Sequence, residues 1–261
     1  MTYKLLFLDI DGTILTPDDQ IQESTKRAVA AVQKQGVEVF LATGRPLHEI
    51  SHIGKELNVQ SFIGYNGAFT VYRGREILKE PMNPDIVQNF VHTAKHHGHE
   101  LVMYTREKNV LSSFDSPAIK DFIQKFHLQK NELFSYDIID QVLGMTILNL
   151  ADRDVSLYEK DDLIYLSQVN IEGLAQCYDV IREKVNKGKA VKAILNYLGV
   201  PKESAIAFGD AMNDKEMLSI VGEGFAMGNA DPNLLPYAKH QTTDVTNSGV
   251  YHGLKKLGLV E

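Results

Sequence analysis

Two short apolar runs, residues 3–8 and 205–208, each end directly on a cluster of acids: Asp9-Ile10-Asp11-Gly12-Thr13 and Gly209-Asp210-Ala211-Met212-Asn213-Asp214. A short run with no polar alternation fits a strand buried on both faces, as in a parallel sheet. In open sheets of that kind ligands bind at the carboxyl ends of the strands, so both clusters are expected at one edge. Residues two apart in extended backbone point the same way, and Asp9 and Asp11 are therefore expected to face one site. Neighbouring carboxylates repel and need a cation or a shared proton; a hard, oxygen-ligated ion such as Mg2+ meets that need. The competing reading is local, with Asp11-Gly12 as a turn and Asn213-Asp214 as a helix N-cap. Two acidic clusters, each directly after a buried strand, are hard to explain as two independent caps.

The rest of the chain alternates in the same manner. Residues 23–35 carry Ala28, Val29 and Val32 at helical spacing and stop at Gly36. A strand is predicted over 37–42, followed at once by Thr43-Gly44-Arg45-Pro46, with Pro46 opening a helix that runs to about Leu57. A third strand, 62–64, precedes a hairpin of 68–72 and 76–78 joined by Arg73-Gly74-Arg75. Near the C-terminus a helix over 190–198, a strand over 205–208, a helix over 214–221 and a strand over 225–227 repeat the pattern. Strands alternating with helices imply a parallel sheet covered on both faces.

Between these parts lies a stretch opened by Pro81 and Pro84, with strand-like runs at 101–104, 110–113, 144–150, 163–169 and 176–181 and helical segments only at 85–96 and 117–126. Runs of strands with few crossovers suggest an α+β domain on an antiparallel sheet. The predicted organisation is an α/β, Rossmann-like core over 1–82 and 183–261, with an inserted α+β domain over 83–182.

Composition limits the partners. The formal net charge of −7 argues against non-specific binding to nucleic acid or to an anionic membrane. Residues 83–182 contain 15 Asp and Glu against 9 Lys and Arg, so most of the excess lies in the insert. No apolar stretch approaches the length of a membrane span or a secretory signal. One cysteine, Cys177, excludes an internal disulfide and suggests a reducing compartment, the cytoplasm; the thiol is expected to be a small buried hydrophobe. His92, His96, His97 and His99 crowd the start of the insert. His92 and His96 are four apart, as in some zinc sites, but no well-spaced third ligand completes a set, and a solvated helix end is the expectation.

Two further segments bear on chemistry. Thr43-Gly44 offers a hydroxyl and unobstructed backbone N–H groups at a strand-to-helix turn, a setting for an anion. Lys187-Gly188 opens the helix before the strand at 205–208, where a lysine can neutralise a phosphoryl oxygen; with Lys184 and Lys189 so near, a solvated helix start is the alternative.

Taken together and in order, Asp-x-Asp-Gly-Thr, Thr-Gly-Arg, Lys-Gly and Gly-Asp-x-x-Asn-Asp resemble the motifs of the haloacid dehalogenase superfamily of phosphotransferases. The long insert between the second and third motifs resembles the Cof-like branch with its type C2B cap, as do Gly64-Tyr65-Asn66-Gly67-Ala68 and Met227-Gly228-Asn229-Ala230. The resemblance implies an Mg2+-dependent phosphatase acting on a small phosphorylated metabolite, a sugar phosphate being the leading class, through an aspartyl-phosphate. It implies Asp9 as nucleophile and metal ligand. Asp11 would be general acid and base, with its backbone carbonyl on the metal, and Asp210 the remaining protein ligand. Thr43, Gly44, Lys187 and Asn213 would hold the phosphoryl group, with Asp214 supporting the metal shell; Lys189 is the alternative to Lys187. Asp11 speaks against dehalogenation, which needs no acid at that place. A phosphomutase acting on a sugar phosphate is the nearest alternative, and a non-catalytic phosphate sensor a further one.

Overall fold

The fold is described from a computed structural model covering residues 2–159, 163–169, 174 and 176–261. In chain order the first elements are β1 (Leu5–Leu8), α1 (Glu23–Lys34), β2 (Glu38–Ala42), α2 (Ser51–Glu56), β3 (Ser61–Gly64), β4 (Phe69–Tyr72) and β5 (Arg75–Lys79). Then come α3 (Pro84–His97), β6 (Glu100–Tyr104), β7 (Asn109–Leu111), α4 (Pro117–Phe126), β8 (Asn131–Leu133), β9 (Gly144–Leu148), β10 (Ile164–Gln168) and β11 (Tyr178–Arg182). The last are α5 (Lys187–Leu198), β12 (Ala205–Gly209), α6 (Lys215–Ile220), β13 (Glu223–Ala226), β14 (His240–Gln241) and α7 (Gly249–Lys256). They group into two compact units: Met1–Arg45, Ile50–Lys79 and Asn186–Glu261 form the first, Pro46–Glu49 and Glu80–Val185 the second. Among the described residues no helix is long and apolar enough to cross a membrane.

The first unit is built on a sheet of order β14-β13-β12-β1-β2-β3-β4-β5. It is parallel from β14 to β3, and β4 and β5 continue it antiparallel. Every residue of β1 and β12 is buried, as the apolar runs require. Leu5 and Phe7 pack with Ala190, Val191, Ile194 and Leu195 of α5, and the rings of Phe7, Phe40 and Tyr72 stack along the same face. On the opposite face Gly253 of α7 lets the helix close on Phe208, where a Cβ would stand 2.4 Å from the ring. Truncating Phe7 to Ala in such a core costs about 3–5 kcal/mol. From β1 the sheet grows through β2 and β3 in one direction and through β12 and β13 in the other, so the topological switch lies between β1 and β12, where both acidic clusters emerge.

The second unit has a sheet of order β10-β11-β9-β6-β7-β8, antiparallel except for the parallel pair β7–β8. Leu101, Met103, Met145 and Ile147 form one face with Val87, Phe90 and Ala94 of α3. Val102, Leu111 and Leu148 form the other with Ile119 and Phe122 of α4. Cys177 is buried on that second face, where burial pushes its thiol up to about 11.

The structure departs from the sequence reading in three places. No helix starts at Pro46; α2 begins only at Ser51, because residues 46–49 pack with the second unit instead. His48 Nε2 lies 3.0 Å from Asn109 Oδ1, and Glu49 Oε1 accepts from Asn109 Nδ2 at 2.7 Å and from the Gln129 amide at 3.2 Å. Strand β8 carries no apolar alternation to announce it; its pairing with β7 and the hydrogen bond from Asn109 Nδ2 to Asn131 Oδ1 hold it. The histidine-rich end of α3 is not wholly solvated: His99 is buried, its Nδ1 is 2.8 Å from Tyr158 Oη, and His97 stacks on its ring.

Candidate active site

The carboxyl ends of β1 and β12 lie side by side, Leu8 level with Phe208. Asp9 follows Leu8 directly and Asp210 follows Gly209, the last residue of β12, so both emerge at the sheet edge, and the Asp9 amide donates to the Phe208 carbonyl at 3.1 Å. Asp214 reaches the same place from the turn before α6. One oxygen of each of the three carboxylates lies within 4.8 Å of the other two.

Lys187 enters this cluster from the first turn of α5, which Asn186 caps by accepting the Lys189 amide at 2.9 Å. Its Nζ donates to Asp9 Oδ1 at 2.5 Å and to Asp214 Oδ1 at 2.6 Å, and the side chain is fully buried. The solvated-helix-start reading of this lysine is therefore wrong for Lys187. Burial works against its charge, yet the carboxylates of Asp214 and Asp9 outweigh that and raise its pKa. Asp214 Oδ2 accepts the backbone amides of Asp210 and Ala211 at 3.0 and 3.1 Å. Both of its oxygens are thus committed, and its carboxylate closes back on its own loop rather than capping the helix ahead.

Asp9 and Asp210 are less well compensated. Burial and the nearby Asp214 charge hold the Asp9 carboxyl well above the usual range, and the same causes push Asp210 up to about 6. Thr13 Oγ1 donates to Asp210 Oδ1 at 3.0 Å. Gly12, at φ +79°, passes so close that a Cβ there would sit 2.3 Å from Asp210 Oδ2. Three clustered carboxylates, those of Asp9 and Asp214 buried and that of Asp210 partly so, stand with one lysine, an excess of negative charge that a hard divalent cation with oxygen ligands fits.

Asp11 takes another direction. Its carboxylate pairs with the guanidinium of Arg45, Nε to Oδ2 at 2.9 Å with Nη2 on Oδ1, and the side chain is half exposed. The alternation of strand residues does not bring its carboxyl beside that of Asp9, because the backbone leaves extended geometry at once: the amides of Thr13, Ile14 and Leu15 all turn back to the Ile10 carbonyl.

Thr43 lies at the end of β2 with its amide on the Ile63 carbonyl at 2.8 Å and its Oγ1 accepting the Arg45 amide at 3.0 Å. Gly44 is exposed beside it. Asn213 is exposed, and its Nδ2 donates to Asn66 Oδ1 at 2.9 Å. Asn66, Thr13 and Asn229 were given no role from sequence. Asn229 Nδ2 donates to the Gly12 carbonyl at 2.8 Å and its Oδ1 accepts the Val245 amide at 2.8 Å, tying the loop after β13 to the first acidic cluster. In the sequence Asn66 and Asn229 stand within Gly64-Tyr65-Asn66-Gly67-Ala68 and Met227-Gly228-Asn229-Ala230, and Thr13 ends Asp-x-Asp-Gly-Thr, but nothing in those stretches tells which partner each side chain takes.

Comparison with known proteins fits this geometry. Residues 6–254 match the family described as haloacid dehalogenase-like hydrolase. YkrA of Bacillus subtilis (strain 168), which carries a provisional phosphatase designation, is 31% identical over the whole of both chains. The HMP-PP phosphatase of Cronobacter sakazakii (strain ATCC BAA-894) is 31% identical over 91% of this chain and 88% of its own. Among solved structures, a protein from Geobacillus kaustophilus HTA426 superposes with a TM-score of 0.91 at 30% identity, covering 99% of this chain and 100% of that one. The subclass IIB sugar phosphatase BT4131 shares the fold, with a TM-score of 0.83 at 23% identity over 98% of this chain and all of its own. The chain belongs to the haloacid dehalogenase-like hydrolases and is a phosphatase of that superfamily.

Proposed function

We propose that this phosphatase hydrolyses phosphate monoesters of small metabolites through an aspartyl-phosphate formed on Asp9, with Mg2+ as its cofactor. The observation that carries the reading is the cluster of Asp9, Asp210 and Asp214, with the Lys187 ammonium buried between Asp9 and Asp214. Asp9 and Asp210 are the side chains with oxygen to spare for the ion, since Asp214 is spent on Lys187 and two amides; by resemblance the Asp11 carbonyl joins them. An Mg2+ ion held by these residues would supply charge neutralisation for the phosphoryl oxygens and the attacking carboxylate.

The remaining chemistry belongs to the chain. A carboxylate oxygen of Asp9 attacks phosphorus in line, and the bond from phosphorus to the ester oxygen breaks. Lys187 screens the approach of a dianion to a carboxylate. The Thr43-Gly44 turn and Asn213 hold the phosphoryl oxygens by hydrogen bonds. Asp11, once released from Arg45, donates a proton to the departing oxygen. It then takes a proton from the water that attacks the acyl phosphate, and phosphate leaves with Asp9 restored. By resemblance the second unit is the cap domain. Sugar phosphates are the favoured substrate class: the acidic insert disfavours a second anionic group, and a neutral, hydroxyl-rich body avoids that cost. The HMP-PP phosphatase relative keeps other small phosphorylated metabolites in view.

The test is hydrolysis of a generic aryl phosphate by the wild type and by Asp9→Asn, with and without chelator. Loss of the nucleophile is expected to cost about 10^4-fold or more, and chelation to abolish turnover. Substantial turnover by a folded Asp9→Asn protein, or full activity after chelation, contradicts the reading.

A further inference from the structure

The turn after β3 is bent in a way that side chains seldom allow. Tyr65 and Asn66 both have φ of +53°, and Gly67 follows at +105°. Left-handed backbone is disfavoured for any residue with a Cβ, least for Asn, and two such residues in succession persist only where the surroundings hold them. Here three separate motifs converge on the turn. The Asn66 amide donates to the Thr43 carbonyl at 3.1 Å, and the Tyr65 amide to the Arg45 carbonyl at 3.3 Å. Gly67 lies against the start of α5, where a Cβ would stand 2.3 Å from the Asn186 carbonyl oxygen and 3.2 Å from the Lys187 amide. The Asn66 side chain completes the set: its Oδ1 accepts Asn213 Nδ2 at 2.9 Å, and its carboxamide lies over Gly44, 3.1–3.2 Å from where a Cβ would be.

We propose that Asn66 is a positioning residue of the phosphoryl site, aligning the Asn213 carboxamide and fixing the Thr43-Gly44 turn against it. The proposal rests on the reading of Thr43, Gly44 and Asn213 as phosphoryl-binding residues. An exposed asparagine such as Asn213 would otherwise sample several rotamers, and an anion would have to order it on binding. The bond to Asn66 selects one arrangement beforehand, so less binding energy is lost to ordering. A Cβ at Gly44 would crowd the carboxamide, so the bare Cα leaves it room. The left-handed turn is what brings Asn66, at the end of β3, across to the loop after β12.

The readouts are the inhibition constant of inorganic phosphate, KM and kcat for an aryl phosphate, and Tm. Asn66→Gly keeps the backbone conformation accessible and deletes the carboxamide. It is expected to raise both the phosphate inhibition constant and KM about tenfold, the effect of one misaligned hydrogen bond to an anion, while kcat changes less. Asn213→Ala is expected to do the same, and the double variant to be no worse than Asn213→Ala alone, because the two act as one unit. Asn66→Asp keeps an acceptor for Asn213 but sets a carboxylate beside the anion; weaker phosphate inhibition, partly restored by salt, is expected. A purely structural role would lower Tm and leave phosphate inhibition untouched. An inhibition constant within twofold of wild type in Asn66→Gly, or losses that multiply in the double variant, overturns the proposal; should the glycine variant not fold, unchanged inhibition in Asn66→Asp overturns it equally. Failure of the underlying functional reading is distinguishable, since turnover would then survive Asp9→Asn.

Discussion

The two units carry their buried polar groups in opposite ways. In the first, Asp9, Thr43, Asp210 and Asp214 sit at or just past the ends of neighbouring parallel strands, and a helix start supplies Lys187. In the second, polar side chains form a row across a sheet: Tyr104 on β6, Thr146 on β9 and Asp179 on β11. Tyr104 Oη and Thr146 Oγ1 are 2.8 Å apart, and Thr146 donates to Asp179 Oδ1 at 2.6 Å. Burial holds the Asp179 carboxyl above its ordinary value and raises the Tyr104 phenol as well. A strand end gathers residues that are consecutive in sequence, so its chemistry is written as a motif. A row across strands gathers residues that only register brings together, so it leaves no motif.

The largest effect that would break this comparison belongs to Lys187. Lys187→Met leaves Asp9 and Asp214 buried without their shared cation, and breaking such an arrangement is expected to cost about 3–5 kcal/mol of stability. Aryl phosphate hydrolysis should fall by at least about 10^2–10^3-fold as well. Lys189→Met, two residues on and exposed, should lose far less of both. Denaturant titration and steady-state rates on both variants decide it; equal behaviour of the two lysines contradicts the placement of charge at the site.

Legibility followed the same division. The alternation of apolar runs and helical segments was enough for a parallel-sheet core with an α+β insert, because fully buried strands such as β1 and β12 cannot hide their composition. The clustering of Asp9, Asp210 and Asp214 was readable because each acid follows a strand or its turn directly. Spacing alone failed for Asp11, whose neighbours turn the backbone back on Ile10 and leave its carboxylate to Arg45. It failed for Pro46, because residues 46–49 are held by Asn109 and Gln129, more than fifty residues away. Asn66 and Asn229 act by long-range side-chain bonds that no periodicity records.

A smaller effect sharpens the account of charge in the first unit. Without a cation, Asp9 and Asp210 have folded-state pKa values raised above those of the unfolded chain, Asp210 to about 6. Their protonated forms are the favoured ones in the fold. That stability is fully present below the unfolded value near 4 and is lost as pH rises through about 6. The metal-free protein is therefore expected to melt several degrees higher at pH 5 than at pH 7.5, on the order of 4 °C. Mg2+ competes with those protons, so its stabilising effect should be larger at pH 7.5 than at pH 5. Thermal melts at the two pH values, with chelator and with Mg2+, check both signs. A metal-free protein more stable at pH 7.5 contradicts them.

The smallest effect concerns the second unit. Residues 83–182 carry 15 acids against 9 bases, and Asp179 lies in their sheet. A hexose monophosphate is expected to be hydrolysed with higher kcat/KM than its bisphosphate, and Asp179→Asn to narrow that preference a few-fold without changing turnover of an aryl phosphate. Folding should not suffer, since Asn keeps the acceptor for Thr146 and removes a buried carboxylate whose ionised form burial opposes. A bisphosphate favoured tenfold or more, at high salt as well as low, would reveal a cationic pocket and reverse this reading.

The covalent role of Asp9, with Asp11 as acid and base, is tested most directly by rapid quench of an activated aryl phosphate reaction in wild type and Asp11→Asn. An activated leaving group needs little protonation, so phosphorylation of Asp11→Asn should be slowed far less than the hydrolytic step that needs a base. A phosphorylated enzyme should accumulate, with the added mass on the peptide that contains Asp9. Equal slowing of both steps, or no phosphoryl group on that peptide while phosphate is still released, contradicts the account.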